Sequence, residues 1–331
     1  MKISLKFPLS GGAVKGGTFA LQARLSIRRL ARKYAAEGRI LDVMLDIVFK
    51  LLFTANDDDS REALRLLLSD CTHRPVRNVQ VQNNEILPEY LTGKTVRLDI
   101  HVTFNDGEQA DLEIQVKKTD DDLKARALLL GAKLLAGQMK RGEKYREAKR
   151  VYQIFFLNCE LFPGSDKVPR RYFAMEETEH DKLSQDLEII IYEMPKLKQV
   201  VKAYFEGKVE LKNLSPEQKW CIYFRYKGDE KMESLIQELC RQEEGIMRAD
   251  RALSRISHDQ EKWAKALFRE KAAMDYSSGL YAAGKAGEER GIASGYQRAK
   301  EETARKMKEI GLSTDQIIYT TNLSPEEIEK L

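Results

Sequence analysis

The sequence predicts an α/β protein in which helices flank a mixed sheet, followed by a mostly helical C-terminal extension. Three observations predict it. Segments typical of helices and strands follow one another in the order helix, strand, hairpin, helix, strand, strand. The apolar runs at 151–158 and 187–192 suit central strands covered on both faces. After Pro195 the apolar residues recur mainly at helical spacing.

The stretch 95–118 predicts a β-hairpin, because two alternating runs are separated by Asn105-Asp106-Gly107, a turn sequence that tolerates positive φ. A three-residue turn there places Asp99 directly opposite Glu113 on the polar face of the two strands. Two opposed carboxylates repel each other and cost stability. A divalent cation between them would offset that cost, because hard oxygen ligands suit Mg²⁺ or Mn²⁺. A solvated strand face is the alternative interpretation.

The remaining elements of the first 200 residues are predicted from periodicity. Helical spacing predicts helices over 21–36, 41–70 and 120–148, and strict alternation predicts a strand over 76–82. The acidic triplet at 57–59 interrupts the second helix, with Asp59 or Ser60 as the cap of the part that follows. In the helix over 120–148, the leucines predicted to face inward are Leu128, Leu130, Leu134 and Leu135.

The C-terminal part is predicted to be helical. Residues 279–300 are rich in Gly and Ala, which predicts a weakly stable exposed helix serving as a linker or for self-association. Two short helices follow, with Ser313 and Ser324 as N-caps and Pro325 at the first helical position. This pair resembles a small helix-turn-helix. Its acidic residues disfavour phosphate contact, so the sequence favours a hydrophobic oligomerisation role over DNA docking.

Composition limits the class of protein. The chain has 331 residues, 42% hydrophobic and 33% charged, with a net charge of +4, which does not by itself demand nucleic acid. The four cysteines lack C-x-x-C spacing, so neither a zinc site nor a disulfide framework is indicated. Reduced thiols, the lack of a membrane-length apolar run and the lack of a signal peptide predict a cytoplasmic protein.

Residues 1–38 form a basic extension, since the first 36 residues contain eight Lys or Arg and no acid. Its arginines would give salt-dependent contact with phosphates. A solvated helix face, a transit-like leader and extra upstream sequence are the alternatives. The sequence favours these three together over contact with DNA.

Taken in order, these motifs resemble the PD-(D/E)xK nuclease superfamily. Their details are closest to its Rpn family of recombination-promoting nucleases, also described as transposases. The resemblance runs from about residue 41 to the end, and it depends on order and spacing rather than on any one motif. The matching positions are Leu45–Phe53, Lys94, Arg97–Ile100, Glu113-Ile114-Gln115, Arg126, Gln138, Gly142, Tyr145, the strand at 151–158, Gly311-Leu312-Ser313 and Leu323–Ile328.

The resemblance implies a restriction-endonuclease-like core that hydrolyses DNA phosphodiester bonds with Mg²⁺ or Mn²⁺. Asp99 and Glu113 would be the anionic metal ligands, and the backbone carbonyl of Ile114 a neutral one. An acid from the first helix would contribute as well. Asp46 is the candidate for that acid, with Glu62 in reserve.

The superfamily usually places a Lys two residues after the Glu, and here that position is Gln115. Glutamine orients a water but supplies no charge. Lys117, on the same strand face, either partly substitutes for it or is a solvated lysine at the strand end. Lys50 and Arg126 either contact DNA phosphates or pair with the acids.

The predicted organisation is a basic extension over 1–38 and a nuclease-like domain over 39–200. A helical region over 201–278 and a Gly/Ala-rich helix with a helical pair over 279–331 follow. The leading prediction is that the protein is a DNA endonuclease that acts in the recombination of mobile elements or in phage-related processes. The alternatives are a DNA-binding module without catalysis, and an interaction protein that forms homo-oligomers through its C-terminal helices.

Overall fold

The architecture comes from a computed structural model, which describes residues 16–82, 85–86, 96–97, 99–115, 122–139, 142–175 and 180–331. The described residues divide into two compact units, with the boundary between Phe268 and Arg269. The helices of the first unit are α1 (Gly16–Ala36), α2 (Asp46–Thr54), α3 (Asp58–Thr72), α4 (Leu123–Ala136), α5 (Lys198–Phe205), α6 (Pro216–Tyr226), α7 (Glu233–Gln242) and α8 (Glu244–Ser257), and α9 (Gln260–Glu309) spans the boundary.

A mixed six-stranded sheet forms the centre of the first unit. Its strands are β1 (Val79–Val81), β4 (Ile100–Phe104), β5 (Glu108–Gln115), β6 (Val151–Leu157), β7 (Pro169–Met175) and β8 (Lys182–Glu193), in the order β1-β4-β5-β6-β8-β7. The strands β5, β6 and β8 are parallel, and β4 and β7 run antiparallel to their neighbours. Two short strands, β2 (Glu85–Ile86) and β3 (Val96–Arg97), pair separately.

Helices cover both faces of this sheet, as predicted for an α/β core. On one face α4 packs its Leu123, Ala127 and Leu130 against β6 and β8. On the other face a large core joins the sheet to α2, α3, α6 and α8. Phe224 of α6 lies within this core, with its ring centroid 5.1 Å from that of Phe156 and 5.4 Å from that of Phe49. The predicted α/β class, with a mixed sheet flanked by helices and a helical extension, is confirmed.

Several local predictions need correction. The helix predicted over 120–148 is shorter, because α4 ends at Ala136, and Gly142 has a φ of 93°, which no helix allows. Leu128 was predicted to face inward but is 55% exposed. The cap of α3 is Asp57, whose side chain accepts a hydrogen bond from the backbone N–H of Ser60, and not Asp59 or Ser60.

The second unit contains the C-terminal part of α9 together with α10 (Thr314–Thr321) and α11 (Pro325–Glu329). Ser313 and Ser324 cap the two short helices with capping boxes, as predicted. Ala304, Ile317, Leu323 and Ile328 form its small core. None of the helices in the described part of the chain is long and apolar enough to span a membrane.

Candidate active site

Most of the predicted site residues lie at or near one edge of the sheet. The parallel strands β5, β6 and β8 end there, at Gln115, Leu157 and Glu193. The antiparallel strand β4 begins there at Ile100. We call this edge the carboxyl edge. Ligands of α/β sheets usually bind in a crevice beyond such strand ends.

The β4–β5 hairpin places Asp99 and Glu113 at the carboxyl edge. The turn has Asn105 at a φ of 47° and Gly107 at a φ of 99°, and Phe104 pairs with Glu108. The pairing then continues to Ile100 opposite Leu112, so Asp99 and Glu113 follow as the next opposed positions, in the predicted register. Glu113 is only 2% exposed, so the alternative of a solvated strand face is wrong for this carboxylate.

Burial and mutual repulsion make this pair electrostatically unfavourable when both groups are ionised. Burial, together with the nearby charge of Asp46, raises the pKa of Asp99 to about 6. Burial, together with the charge of Asp99, raises the pKa of Glu113 to about 7. Backbone N–H groups partly compensate: that of Ile114 lowers the pKa of Asp99, and that of Asp99 lowers the pKa of Glu113.

Two helices bring further charges to the pair. At the start of α4, Arg126 donates a hydrogen bond from Nη2 to Glu113 Oε2 at 2.6 Å. From α2, Asp46 raises the pKa of Asp99 while Lys50 lowers it, so both lie within electrostatic reach of that carboxylate. Asp46 and Lys50 are four residues apart and therefore share one face of α2. The site thus combines three carboxylates with two cations.

The donor atoms at this edge suit a hard divalent cation. Glu113 Oε1 is buried and has no hydrogen-bond partner among the described residues. The backbone N–H of Ile114 faces Asp99. The carbonyl of the next residue, Gln115, points towards β6, where it accepts a hydrogen bond from the N–H of Asn158 at 2.9 Å. Because successive carbonyls of a strand alternate in direction, the carbonyl of Ile114 points towards Asp99. No three His, Cys, Asp or Glu side chains of the described segments are grouped closely enough to hold a metal ion. Two carboxylates and a carbonyl, completed by water and phosphate oxygens, nevertheless fit Mg²⁺, which retains several waters.

Comparison with known proteins identifies the family. The family model of the PD-(D/E)XK nuclease family transposases matches residues 43–283. This chain belongs to that family. The match includes both hairpin carboxylates and also α5 to α8, which complete the core beneath the sheet. No curated protein and no solved structure shows significant similarity to the chain.

The other predicted residues of this nuclease-family chain are placed as follows. Gln115 is the last residue of β5, at the carboxyl edge, and is partly exposed. Glu62 is not brought to the site, since it forms a hydrogen-bonded pair with Arg65 of its own helix at 2.6 Å. Lys117 lies outside the described residues.

One buried acid beside the site was not predicted. Asp111 is fully buried two residues before Glu113, and its Oδ2 accepts a hydrogen bond from Gln153 Nε2 at 2.7 Å. Burial, together with the charge of Glu113, raises the pKa of Asp111 well above its usual value. Alternation along β5 was the available signal, because it puts Asp111 and Glu113 on one strand face. Gln153 is 42 residues away in sequence, and no local pattern predicts that contact.

Proposed function

We propose that this protein is a divalent-metal-dependent DNA endonuclease whose site lies at the carboxyl edge. The observation that carries the proposal is the opposed pair of Asp99, which is partly buried, and Glu113, which is buried, in a member of a nuclease and transposase family. A protein gains nothing in stability from two facing carboxylates with raised pKa values. Such pairs are typical of functional sites.

Each residue has a proposed role. Asp99, Glu113 and the carbonyl of Ile114 would hold Mg²⁺ or Mn²⁺, with Asp46 contributing from α2. When bound, the cation would polarise a phosphoryl oxygen and lower the pKa of the attacking water. The side-chain amide of Gln115 would orient that water by hydrogen bonding. The roles of Asp46 and Gln115 are proposed from the family resemblance and from their positions near this edge.

The basic residues would bind the substrate. Arg126 donates a hydrogen bond from Nη2 to Glu113 Oε2, and its guanidinium would also contact a DNA phosphate. Lys50 would neutralise charge on the side of Asp99. Lys117 remains a candidate contact from the sequence alone. We further propose, from family membership, that the reaction processes mobile DNA, and that the chain acts in the cytoplasm and self-associates through its C-terminal helices.

The test is nicking of supercoiled plasmid by purified protein with Mg²⁺ or Mn²⁺, beside EDTA. Asp99→Asn removes one ligand charge at nearly constant shape. Asp106→Asn, in the exposed hairpin turn at the opposite end of β4 and β5, removes the same charge and is the matched control. We expect metal-dependent nicking that Asp99→Asn abolishes and Asp106→Asn retains.

Two other outcomes would contradict the proposal. Nicking that persists in Asp99→Asn would mean a contaminating nuclease or a different site. A folded protein that binds DNA but never nicks it would be a DNA-binding module. Gln115, which lacks the positive charge usual at its position in the superfamily, is the observation that favours this second candidate.

A further inference from the structure

A half-buried arginine at the carboxyl edge has no carboxylate partner among the residues that the structure describes. Arg225, in the last turn of α6, donates from Nη1 to Oδ1 of Asn158, a neutral amide. Its Nε is buried and has no hydrogen-bond partner in the described part of the chain. Its guanidinium carbon lies 5.5 Å from the ring centroid of Tyr226, and no ion pair links it to a described acid.

Two other arginines at the sheet are paired with acids. Arg126 pairs with Glu113 at 2.6 Å, and Arg171 pairs with Glu188 at 2.7 Å. A guanidinium stays charged at every physiological pH, and removing an unpaired charge from water costs several kcal/mol. The position of Arg225 is therefore unfavourable for the protein alone and would become favourable once an anion binds beside it.

The packing around Arg225 fixes it beside the candidate active site. The preceding residue, Phe224, packs on Phe156 of β6 and Phe49 of α2. Asn158, its hydrogen-bond partner, follows β6 and donates its backbone N–H to the carbonyl of Gln115 at 2.9 Å. Arg225 therefore lies at the carboxyl edge, one strand beyond Gln115, on the sheet face opposite α4.

The spacing of the strands indicates which part of a bound DNA strand Arg225 would reach. Neighbouring strands are about 4.8 Å apart, so Asn158 on β6 lies roughly 10 Å across the sheet from Asp99 at the start of β4. That span is too long for Arg225 to hold the phosphate bound between Asp99 and Glu113. It suits a neighbouring phosphate of the same DNA strand, because the phosphates of one strand follow each other at intervals of a few ångströms.

We propose that Arg225, oriented by Asn158, binds the DNA phosphate next to the one that is cleaved. The planar guanidinium suits this role, since it can donate two parallel hydrogen bonds to a phosphate. It would also add a positive charge at the carboxyl edge, where Gln115 supplies none. This inference rests on the proposed function for the identity of the ligand as DNA.

The test measures binding of a labelled DNA duplex in EDTA over a series of salt concentrations, where metal-dependent cleavage does not interfere. Each phosphate contact contributes about 0.9 to the slope of log K against log salt concentration. We expect Arg225→Ala to weaken binding about tenfold and to reduce the slope by about one. Arg77→Ala is the matched control, because Arg77 is exposed near the hairpin turn at the opposite end of the sheet. It should change neither quantity.

A second variant separates charge from folding. Arg225→Lys keeps the charge and loses the fork, so it should retain the wild-type slope while binding more weakly than wild type. Folding of each variant is checked by its thermal midpoint. A folded Arg225→Ala or Arg225→Lys protein with wild-type affinity and slope would overturn the inference. A weaker affinity with an unchanged slope in Arg225→Ala would overturn it too, because that result indicates a structural role.

The result is separable from the catalytic proposal. If the wild-type protein never nicks plasmid but Arg225→Ala still reduces the slope, the phosphate subsite stands and the endonuclease proposal fails. If Asp99→Asn abolishes nicking while Arg225→Ala binds DNA as wild type does, the subsite alone fails. If both hold, Arg225→Ala should raise KM for plasmid more than it lowers kcat.

Discussion

Two buried groups of charged residues lie on opposite faces of the same sheet, and they are arranged differently. In the Arg171 cluster, Arg171 of β7 donates to Glu188 Oε1 at 2.7 Å and lies 3.4 Å from Glu217 Oε1. His73 contacts Glu217 as well. At the carboxyl edge, by contrast, Glu113 faces another acid, Asp99, and of the described cations Arg126 donates a hydrogen bond to Glu113.

The pKa values express this difference. Burial alone would raise the pKa of Glu217, yet hydrogen bonds, led by that of His73, lower it below its usual value. Glu113 is equally buried but keeps a raised pKa, because Asp99 adds repulsion and Arg126 only partly offsets it. Paired charges such as the Arg171 cluster hold the fold together. Carboxylates left facing one another indicate a place for a positively charged ligand.

The largest expected effect is the loss of cleavage on substitution of Glu113, with the fold retained. Glu113→Gln removes a charged ligand at nearly constant shape, so metal-dependent cleavage should fall by about 10³-fold or more, since a bound metal supplies several kcal/mol of transition-state stabilisation. The thermal midpoint of the metal-free variant should equal or exceed that of the wild type, because the substitution removes repulsion. Plasmid nicking rates and thermal unfolding measure the two effects. A variant that loses stability along with cleavage would show that Glu113 belongs with the structural ion pairs.

The second expected effect is a loss of stability without a loss of cleavage. Arg171→Met leaves Glu188 and Glu217, each 5% exposed, without their shared cation, so the free energy of unfolding should fall by about 3 kcal/mol. Cleavage per folded molecule should not change. Urea unfolding measures the loss. Arg255→Met is the control, because Arg255 also contacts two acids but is 48% exposed, and exposed pairs contribute below about 1 kcal/mol. Equal losses in the two variants would contradict this prediction.

Local sequence signals predicted what depends on neighbouring residues. The turn Asn105-Asp106-Gly107 predicted the register that opposes Asp99 and Glu113, because turn length fixes strand pairing. The caps at Ser313 and Ser324 were likewise predicted from adjacent residues. Strand β7 (Pro169–Met175) was missed, since an edge strand that begins with Pro and is mostly solvent-accessible lacks the apolar pattern of a core strand.

Contacts between distant segments could not be predicted in this way. The hydrogen bond from Arg126 to Glu113 needs α4 to be packed over β5. The pair of Arg225 and Asn158 joins residues 67 positions apart. Both depend on how helices pack on the sheet, which periodicity within one segment does not specify. The family resemblance supplied the roles of Asp46 and Gln115, which no local pattern carries.

The third effect is a pH dependence. Raised pKa values mean that the folded protein binds more protons than the unfolded chain between about pH 4 and about pH 7. The stability contribution of Asp99 and Glu113 is therefore fully present at low pH and is lost as the pH rises through this window. As the pH rises through this window, the unfolding free energy of the wild type should fall by on the order of 2 kcal/mol relative to that of the double variant Asp99→Asn, Glu113→Gln. Chemical denaturation at several pH values measures it.

Metal binding should reverse this loss. Ligand carboxylates must be ionised, so Mg²⁺ or Mn²⁺ should bind more tightly as the pH rises towards 7 and should release protons on binding. Calorimetry in buffers of different ionisation enthalpy measures the protons released. Metal affinity that is constant across this pH range would place the metal away from Asp99 and Glu113.

The smallest effect concerns Asp111, a buried acid that pairs with no cation of the described residues and does not face the carboxyl edge directly. Burial raises the pKa of Asp111 well above its usual value, which favours the neutral acid over the carboxylate in the folded protein. A neutral acid has an O–H donor, and Gln153 Oε1 is a buried acceptor without a partner among the described residues. Together with the 2.7 Å bond from Gln153 Nε2 to Asp111 Oδ2, that donor would complete a reciprocal pair of hydrogen bonds.

Asparagine offers the same donor and acceptor as the neutral acid. Asp111→Asn should therefore change the free energy of unfolding by less than about 1 kcal/mol, whereas Asp111→Ala leaves Gln153 unsatisfied and should cost about 1–3 kcal/mol. Urea unfolding compares the two, and infrared absorption by a protonated carboxyl group, lost in both variants, reports the charge state directly. A large loss in Asp111→Asn would mean that Asp111 is ionised and held by a cation, which would place it with the metal ligands rather than with the core.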